Sequence, residues 1–181
     1  GIHIRGAGDN STYINGQIYI YNSTYPYLEY FESDGLYLNN CENPIVYFVK
    51  LTGDCFTASY CSDVDLTIKN YSGEEFSLGS GTTGTVYGPS EFRNMNYGMY
   101  VYDYTFIGVE SSTFCGNYWD IYVGGSGSSV NAAACAFSRD PSSSTYGNVN
   151  YLPTSNYSIC LSKTSNIAGN DPKPLIKSDT T

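Results

Sequence analysis

Side chains that could do chemistry are few in this sequence. His3 is the single histidine among 181 residues. A Ser-His-Asp or Cys-His site would need partners remote from it, and no G-x-S-x-G nucleophile elbow occurs. Glu74, Glu75, Glu91, Glu110 and Asp120 are available for glycosidic acid–base work, but no spacing sets two of them as a pair. Asp63-x-Asp65 resembles the start of a calcium loop without its glycine and distal glutamate, and strand alternation explains the two acids more simply. Calcium held by loop carboxylates is the one cofactor left open; no metal site and no catalytic residue is expected. The runs GSGTTG and GGSGSS lack the lysine and following helix of a phosphate loop and read as turns.

Six cysteines stand at Cys41, Cys55, Cys61, Cys115, Cys135 and Cys160. None is spaced C-x-x-C, and one histidine gives zinc poor support. The even count is read as disulfides formed in an oxidising compartment, with pairing open. Cys55 and Cys61 bracket a short stretch that a bridge could close. The alternative is a set of buried free thiols in a reducing compartment.

Net charge is −9, with charged residues at only 14 %, against about a quarter in ordinary soluble domains. The eight Lys and Arg residues are scattered singly, which argues against nucleic acid and anionic membranes. No apolar run is long enough for a transmembrane helix. A surface of Ser, Thr, Asn and Gly suits an extracellular or surface location, and Gly1 fits a processed N-terminus. Sequons at Asn10, Asn22, Asn70 and Asn156 are possible glycosylation sites. Their number is close to chance for a chain this rich in Asn, Ser and Thr, so they do not argue for secretion by themselves.

The elements that must position these groups are strands. Good helix formers are sparse, while Tyr, Ile, Val, Phe and Thr dominate. Alternation predicts strands over 13–21, with a turn or bulge at Asn15-Gly16, and over 35–39, 45–51 and 63–70. Residues 74–78 look like a hairpin partner for 63–70. Further strands are expected over 97–108, 118–123, 147–151 and 157–161, with 130–137 either strand or a short helical piece. Turns recur every 8–12 residues, which predicts an all-β fold: a disulfide-bearing β-sandwich or jelly-roll of about ten short strands. Residues 1–12 read as an N-terminal arm, 13–161 as a single β domain and 162–181 as an extended tail. No strict repeat is evident.

Tyrosine is spent heavily, 20 in 181. In YGMYVYDYTF, residues 97–106, strand alternation places Tyr100, Tyr102, Tyr104 and Phe106 on one face. Such a ladder is either core or an exposed platform that stacks sugars or anchors a neighbour. Tyr100, Tyr102, Tyr104 and Trp119 are therefore the candidate stacking residues. Trp119 read as a core residue packed on a disulfide is an equal alternative.

Residues 6–49 carry Gly6-Ala7-Gly8, then Tyr13, Asn15-Gly16, Ile18-Tyr19, Gly35-Leu36-Tyr37-Leu38 and Tyr47-Phe48-Val49. This texture resembles a Tyr/Gly/Asn-rich β-motif of extracellular and virion-surface proteins. Gln17 and Ile18 stand where that motif has a small residue and Tyr. The resemblance covers a quarter of the chain and implies a surface-exposed β module with no catalytic residues.

The functional expectation is a non-enzymatic structural subunit of an extracellular or surface assembly (filament, appendage, coat or matrix), self-associating through a terminal arm or strand addition. Alternatives are a carbohydrate-binding or adhesion module using exposed Tyr and Trp and, behind it, a secreted enzyme, toxin or inhibitor.

Overall fold

Short runs of β-branched and aromatic residues, punctuated by Asn, Asp, Ser and Gly, fold in this chain as rungs rather than as hairpins. The computed structural model describes residues 1–8, 11–70, 73–115, 117, 119–124, 127–138, 149–151, 158–162, 166–168 and 176–178. It is a parallel β-solenoid of about six turns. This corrects the sandwich or jelly-roll expectation: every registered strand pairing is parallel, and each strand pairs with the strand one turn away.

The first face comprises β1 (His3–Arg5), β3 (Tyr27–Glu29), the start of β5 (Ile45–Ser59), the start of β6 (Val64–Asn70), β8 (Thr83–Val86), β11 (Phe106–Glu110), β14 (Ser129–Ala133) and β17 (Ser158–Ser162). The third face comprises β2 (Tyr13–Tyr21), β4 (Glu32–Asn39), the end of β5, β7 (Gly73–Gly79), β10 (Met95–Tyr102), β13 (Trp119–Gly124), β16 (Val149–Tyr151) and β19 (Ile176–Ser178). A narrow second face between them is formed by β9 (Glu91–Arg93), β12 (Thr113–Cys115), β15 (Ala136–Ser138) and β18 (Asn166–Ala168). In the early turns Lys50 and Lys69, inside β5 and β6, take its place. The expected hairpin of 63–70 with 74–78 is thus absent: β6 pairs with β5, β8 and β9, and β7 with β5 and β10, all in parallel.

In-register parallel pairing stacks like on like. Ile4, Leu28, Val46, Leu66, Val86, Val109 and Ala132 form one inward column, at intervals of 24, 18, 20, 20, 23 and 23 residues. Ile20, Leu38, Ala58, Leu78, Val101 and Val123 form another, all buried. Four fully buried rings, Phe56, Phe76, Phe92 and Phe114, stack through the interior with centroids 4.5, 4.8 and 4.9 Å apart.

Corners repeat as strictly as strands. Asn22, Asn40, Tyr60, Ser80 and Asp103 each follow a third-face strand with φ between 48° and 54°. This left-handed conformation is one that Asn and Asp tolerate best among residues with a side chain.

Three of the cysteines, Cys41, Cys61 and Cys135, belong to corners, and no disulfide is formed among the described residues, which overturns the disulfide expectation. Cys41, Cys61, Cys115 and Cys135 are free thiols, while the side chains of Cys55 and Cys160 lie outside the described residues. The Cys41 and Cys61 thiols donate to the carbonyls of Asn39 and Ser59, at 3.6 and 3.3 Å. One and two turns on, Thr82 and Thr105 hydroxyls donate likewise to Gly79 and Tyr102, at 2.7 and 2.6 Å. At the corner between the first and second faces, Ser112 and Cys135 occupy equivalent places, donating to Glu110 at 3.1 Å and to Ala133 at 3.5 Å. Cysteine here stands in for a small hydroxyl that closes a turn. The Cys55–Cys61 bridge is excluded by β5, which runs extended through Ser59 and holds the two far beyond bonding reach.

Candidate functional site

The first rung of the solenoid carries no strand before it among the described residues. Among the described residues β1 pairs only with β3 and β2 only with β4, so each keeps one unpaired edge. Ile4, Ile14 and Ile18 pack half-buried on the core at this end, and Ile2 is exposed. Natural edges are usually blunted by charge, proline or a bulge. β2, YINGQIYIY, has no charge and no proline. Its one irregularity is the register shift between Ile14 and Gln17, at Gly16 with φ +110°. Gln17 to Tyr21 is left as a flat, neutral edge.

β1 contributes a polar cluster. The Glu29 carboxylate, buried on the first face, lies 3.2 Å from Arg5 Nε and 3.4 Å from His3 Nε2. His3 also packs edge-on against Tyr27 at 5.0 Å. The segment expected as an arm thus includes a strand laid on the first face.

The outer side of the third face is aromatic at both ends. Tyr19, half exposed, stacks on Tyr37 of the next rung at 4.6 Å and beside Tyr21 at 6.3 Å. Three turns on, Tyr97, Tyr100, Tyr102, Trp119 and Tyr122 form a second group, with Tyr100 5.2 Å from Tyr102 and 5.3 Å from Tyr122, and Trp119 6.0 Å from Tyr122. Desolvation in this group, followed by the Tyr122 ring beside it, raises the Tyr100 phenol. Between the groups the same columns carry Thr57, Ser59, Ser77 and Gly79.

Of the expected stacking residues, the structure brings Tyr100, Tyr102 and Trp119 together and sets Tyr104 apart. β10 ends at Tyr102, and Asp103 and Tyr104 both have positive φ (48° and 57°), so the chain turns the corner there. Phe106, exposed, opens β11 on the first face. Sequence alternation missed Tyr97, because a register shift between Tyr97 and Tyr100 brings it to the Tyr100 side, 5.3 Å away. Trp119 is an outer-face residue, not a core one packed on a disulfide.

Glycine sets the lie of Tyr102. A Cβ on Gly79 would stand 2.1 to 2.4 Å from Cζ, Cε2 and Cε1 of that ring. The ring therefore lies flat across the Gly79 backbone, with its other face turned away from the sheet.

A shallow cavity of about 510 Å³ opens beside Tyr19, lined by Gly16, Gln17, Tyr19, Asp34 and Gly53. Asp34 is pinned there: the Gly16 N–H donates to Oδ2 at 2.8 Å, and the Tyr13 hydroxyl donates to Oδ1. That bond and the carboxylate's charge raise the Tyr13 phenol.

The carboxylates do not converge. Asp120 is fully buried, Glu110 is an exposed corner residue, Glu91 pairs with Lys69 and Arg93, and the Glu74 side chain lies outside the described residues. Asp63 and Asp65 are exposed on either side of buried Val64, and the Asp65 carboxyl is raised by partial burial first and by Asp63 second. Among the described residues no three His, Cys, Asp or Glu side chains group as metal ligands. Of the sequons, Asn22 is exposed at a corner, where its side-chain oxygen accepts from Asn40 at 2.7 Å. Asn10 and Asn156 and the side chain of Asn70 lie outside the described residues. Among those residues no helix is long and apolar enough to cross a membrane.

Compared with protein-family models, curated proteins and solved structures, the chain matches none of them.

Proposed function

We propose that this chain is a non-enzymatic structural subunit of an extracellular or surface assembly, and that it lengthens by strand addition at the edge of β2. The observation that carries the reading is the edge of β2: nine residues without charge or proline, over a core end roofed only by half-buried isoleucines. A parallel rung laid there gains main-chain hydrogen bonds, covers Ile4, Ile14 and Ile18, and continues the Tyr19–Tyr37 stack. Solenoids need a polar cap to stay single, and a non-closing, head-to-tail contact propagates into a fibre. A second copy of the chain is the occupant the geometry favours, since its rungs share the same spacing. The surface location rests on the neutral polar surface of Ser, Thr, Asn and Gly. The thiols no longer bear on it, because a buried free thiol is at home in any compartment.

The test is particle mass by light scattering against concentration, for the natural chain and for Ile18→Lys. The unsubstituted 181-residue chain is expected to grow beyond its 19.8 kDa monomer, and the lysine at the rim to hold it there with an unchanged β-sheet circular dichroism spectrum. A natural chain that stays monomeric at high concentration, or a variant that associates equally well, overturns the proposal.

A further inference from the structure

We infer that the outer side of the third face binds a neutral carbohydrate chain, with Tyr102 as its stacking platform. Rings stacked rung on rung, such as Tyr19 on Tyr37, lie nearly parallel to each other, 11° apart, and offer little besides their edges along the face. Tyr102, inclined 26° to Tyr100 at 5.2 Å, is different because it lies flat over the Gly79 backbone, with no side chain between ring and sheet. That is the presentation a pyranose ring needs, since its axial C–H groups pack on an aromatic face while its hydroxyls point sideways.

The hydroxyl partners sit two and three rungs back, in β5 and β4. Asn39, Ser59 and Gly79 share the Tyr102 column, and Thr57 stands in the Tyr100 column beside it. A rung advances about 4.8 Å along the axis, which is close to the length of one sugar ring. A glycan running along the face therefore meets fresh side chains at each sugar, from Tyr102 toward the pinned carboxylate of Asp34 and its cavity.

Charge selects among glycans. No lysine or arginine stands in the outward columns from Gln17 to Tyr122, whereas Glu75 does, and the Asp34 carboxylate lies beside them at the irregularity of β4. Sulfated and uronic-acid chains are disfavoured there, and uncharged ones are not. The inference goes beyond the end-on assembly, and its platform, Tyr102 over Gly79, lies outside the β2 edge.

The experiment is affinity electrophoresis or calorimetry with two neutral probes, a soluble β-glucan and a mannan, and one anionic probe, polygalacturonate. Retention by a neutral probe is expected, with the affinity lowered about tenfold or more in Tyr102→Ala and kept in Tyr102→Phe. Gly79→Ala should lower it as well, because the added methyl lifts the ring off the sheet, and circular dichroism confirms that each variant is folded. No retention by either neutral probe, retention by the anionic probe alone, or full retention by folded Tyr102→Ala would each overturn the inference.

Discussion

Asp120 stakes the interior of the solenoid on a proton. It lies in β13 opposite Gly98, fully buried, with Oδ1 accepting from Asn117 Nδ2 at 2.9 Å and Oδ2 without a partner. Asn117 is itself committed, since its Oδ1 accepts from the Met95 N–H at 3.1 Å and its Nδ2 donates to the Phe92 carbonyl at 3.0 Å. Burial pushes the Asp120 carboxyl up to about 7 from the ordinary 3.8, against the opposing pull of the Asn117 hydrogen bond. The folded chain therefore keeps a proton that the unfolded chain has released over that whole interval. More protons bound in the folded state means that stability falls as pH rises. The contribution is full below about pH 4, declines through the window to about 7, and is gone above it. Three units at about 1.36 kcal/mol each come to about 4 kcal/mol, a large share of the ~5–15 kcal/mol that holds a domain. The assay is urea unfolding from pH 4 to 8 for the natural chain and for Asp120→Asn, which keeps the shape and cannot ionise. Subtracting the two curves cancels every other titration. The natural chain should lose about 4 kcal/mol relative to the variant across the window. A difference that is flat, or that rises with pH, would refute the buried, uncompensated carboxyl.

Further outcomes follow from the columns. Phe76→Ala empties the middle of a four-ring stack and should cost about 3–5 kcal/mol in the same unfolding assay. Cys61→Ser and Cys135→Ser should each cost no more than about 1 kcal/mol, because serine or threonine already holds equivalent corners, whereas valine at either position strands a carbonyl and should cost more. Burial raises the Cys61 thiol to about 11, so its alkylation in the folded chain at pH 8 should be far slower than in urea, as read by mass spectrometry. Gly53→Ala drives a methyl to 2.3 Å from the Asp34 carbonyl and should distort the neighbouring cavity, visible as a loss of thermal stability.

Much of the local structure was legible and the architecture was not. The strand over 13–21 with its irregularity at Asn15-Gly16 stands as β2, and Val64, Leu66 and Ile68 are buried as their alternation required. Strand direction has no local signature: a turn every 8–12 residues joins antiparallel strands of a sandwich and successive faces of a coil equally well. The repeat was obscured because its interval drifts from 18 to 24 residues and because the columns conserve volume and polarity rather than identity. Cys61 stacks under Thr82, and Asn40 next to Tyr60. The signal that was available was the recurrence of Asn, Asp or Ser just after four of five third-face strands, at Asn22, Asn40, Ser80 and Asp103, with Tyr60 at the fifth. The aromatic face was found in part: Tyr100 and Tyr102 follow from alternation, but Tyr97 needs the register shift and Tyr104 is lost to the left-handed corner.

The same geometry explains why the chain uses so much tyrosine and so little charge. In a parallel, in-register stack each side chain faces its counterpart one rung, about 4.8 Å, away. A column of like charges at that spacing repels itself, whereas a column of rings, hydroxyls or amides attracts. Where charges do enter, the rungs oppose them. Lys50 reaches back to Glu32 at 2.9 Å while Lys69 reaches on toward Glu91 at 3.8 Å, so the two lysines, neighbours in register, are drawn apart by their partners. Glu29 draws Arg5 and His3 from the rung before it. Low charge is thus a demand of the stacking before it is a sign of habitat. Tyrosine satisfies that demand on an outer face: it stacks on its neighbours, keeps a hydroxyl in water, and adds no formal charge at neutral pH. A glutamate placed in the Tyr19–Tyr37 column, as Tyr37→Glu, loses that stack without gaining a cation, and in the unfolding assay it should destabilise the first turns more than Tyr37→Thr. Equal losses would show that the ring stack, and not the avoidance of charge, governs what the column accepts.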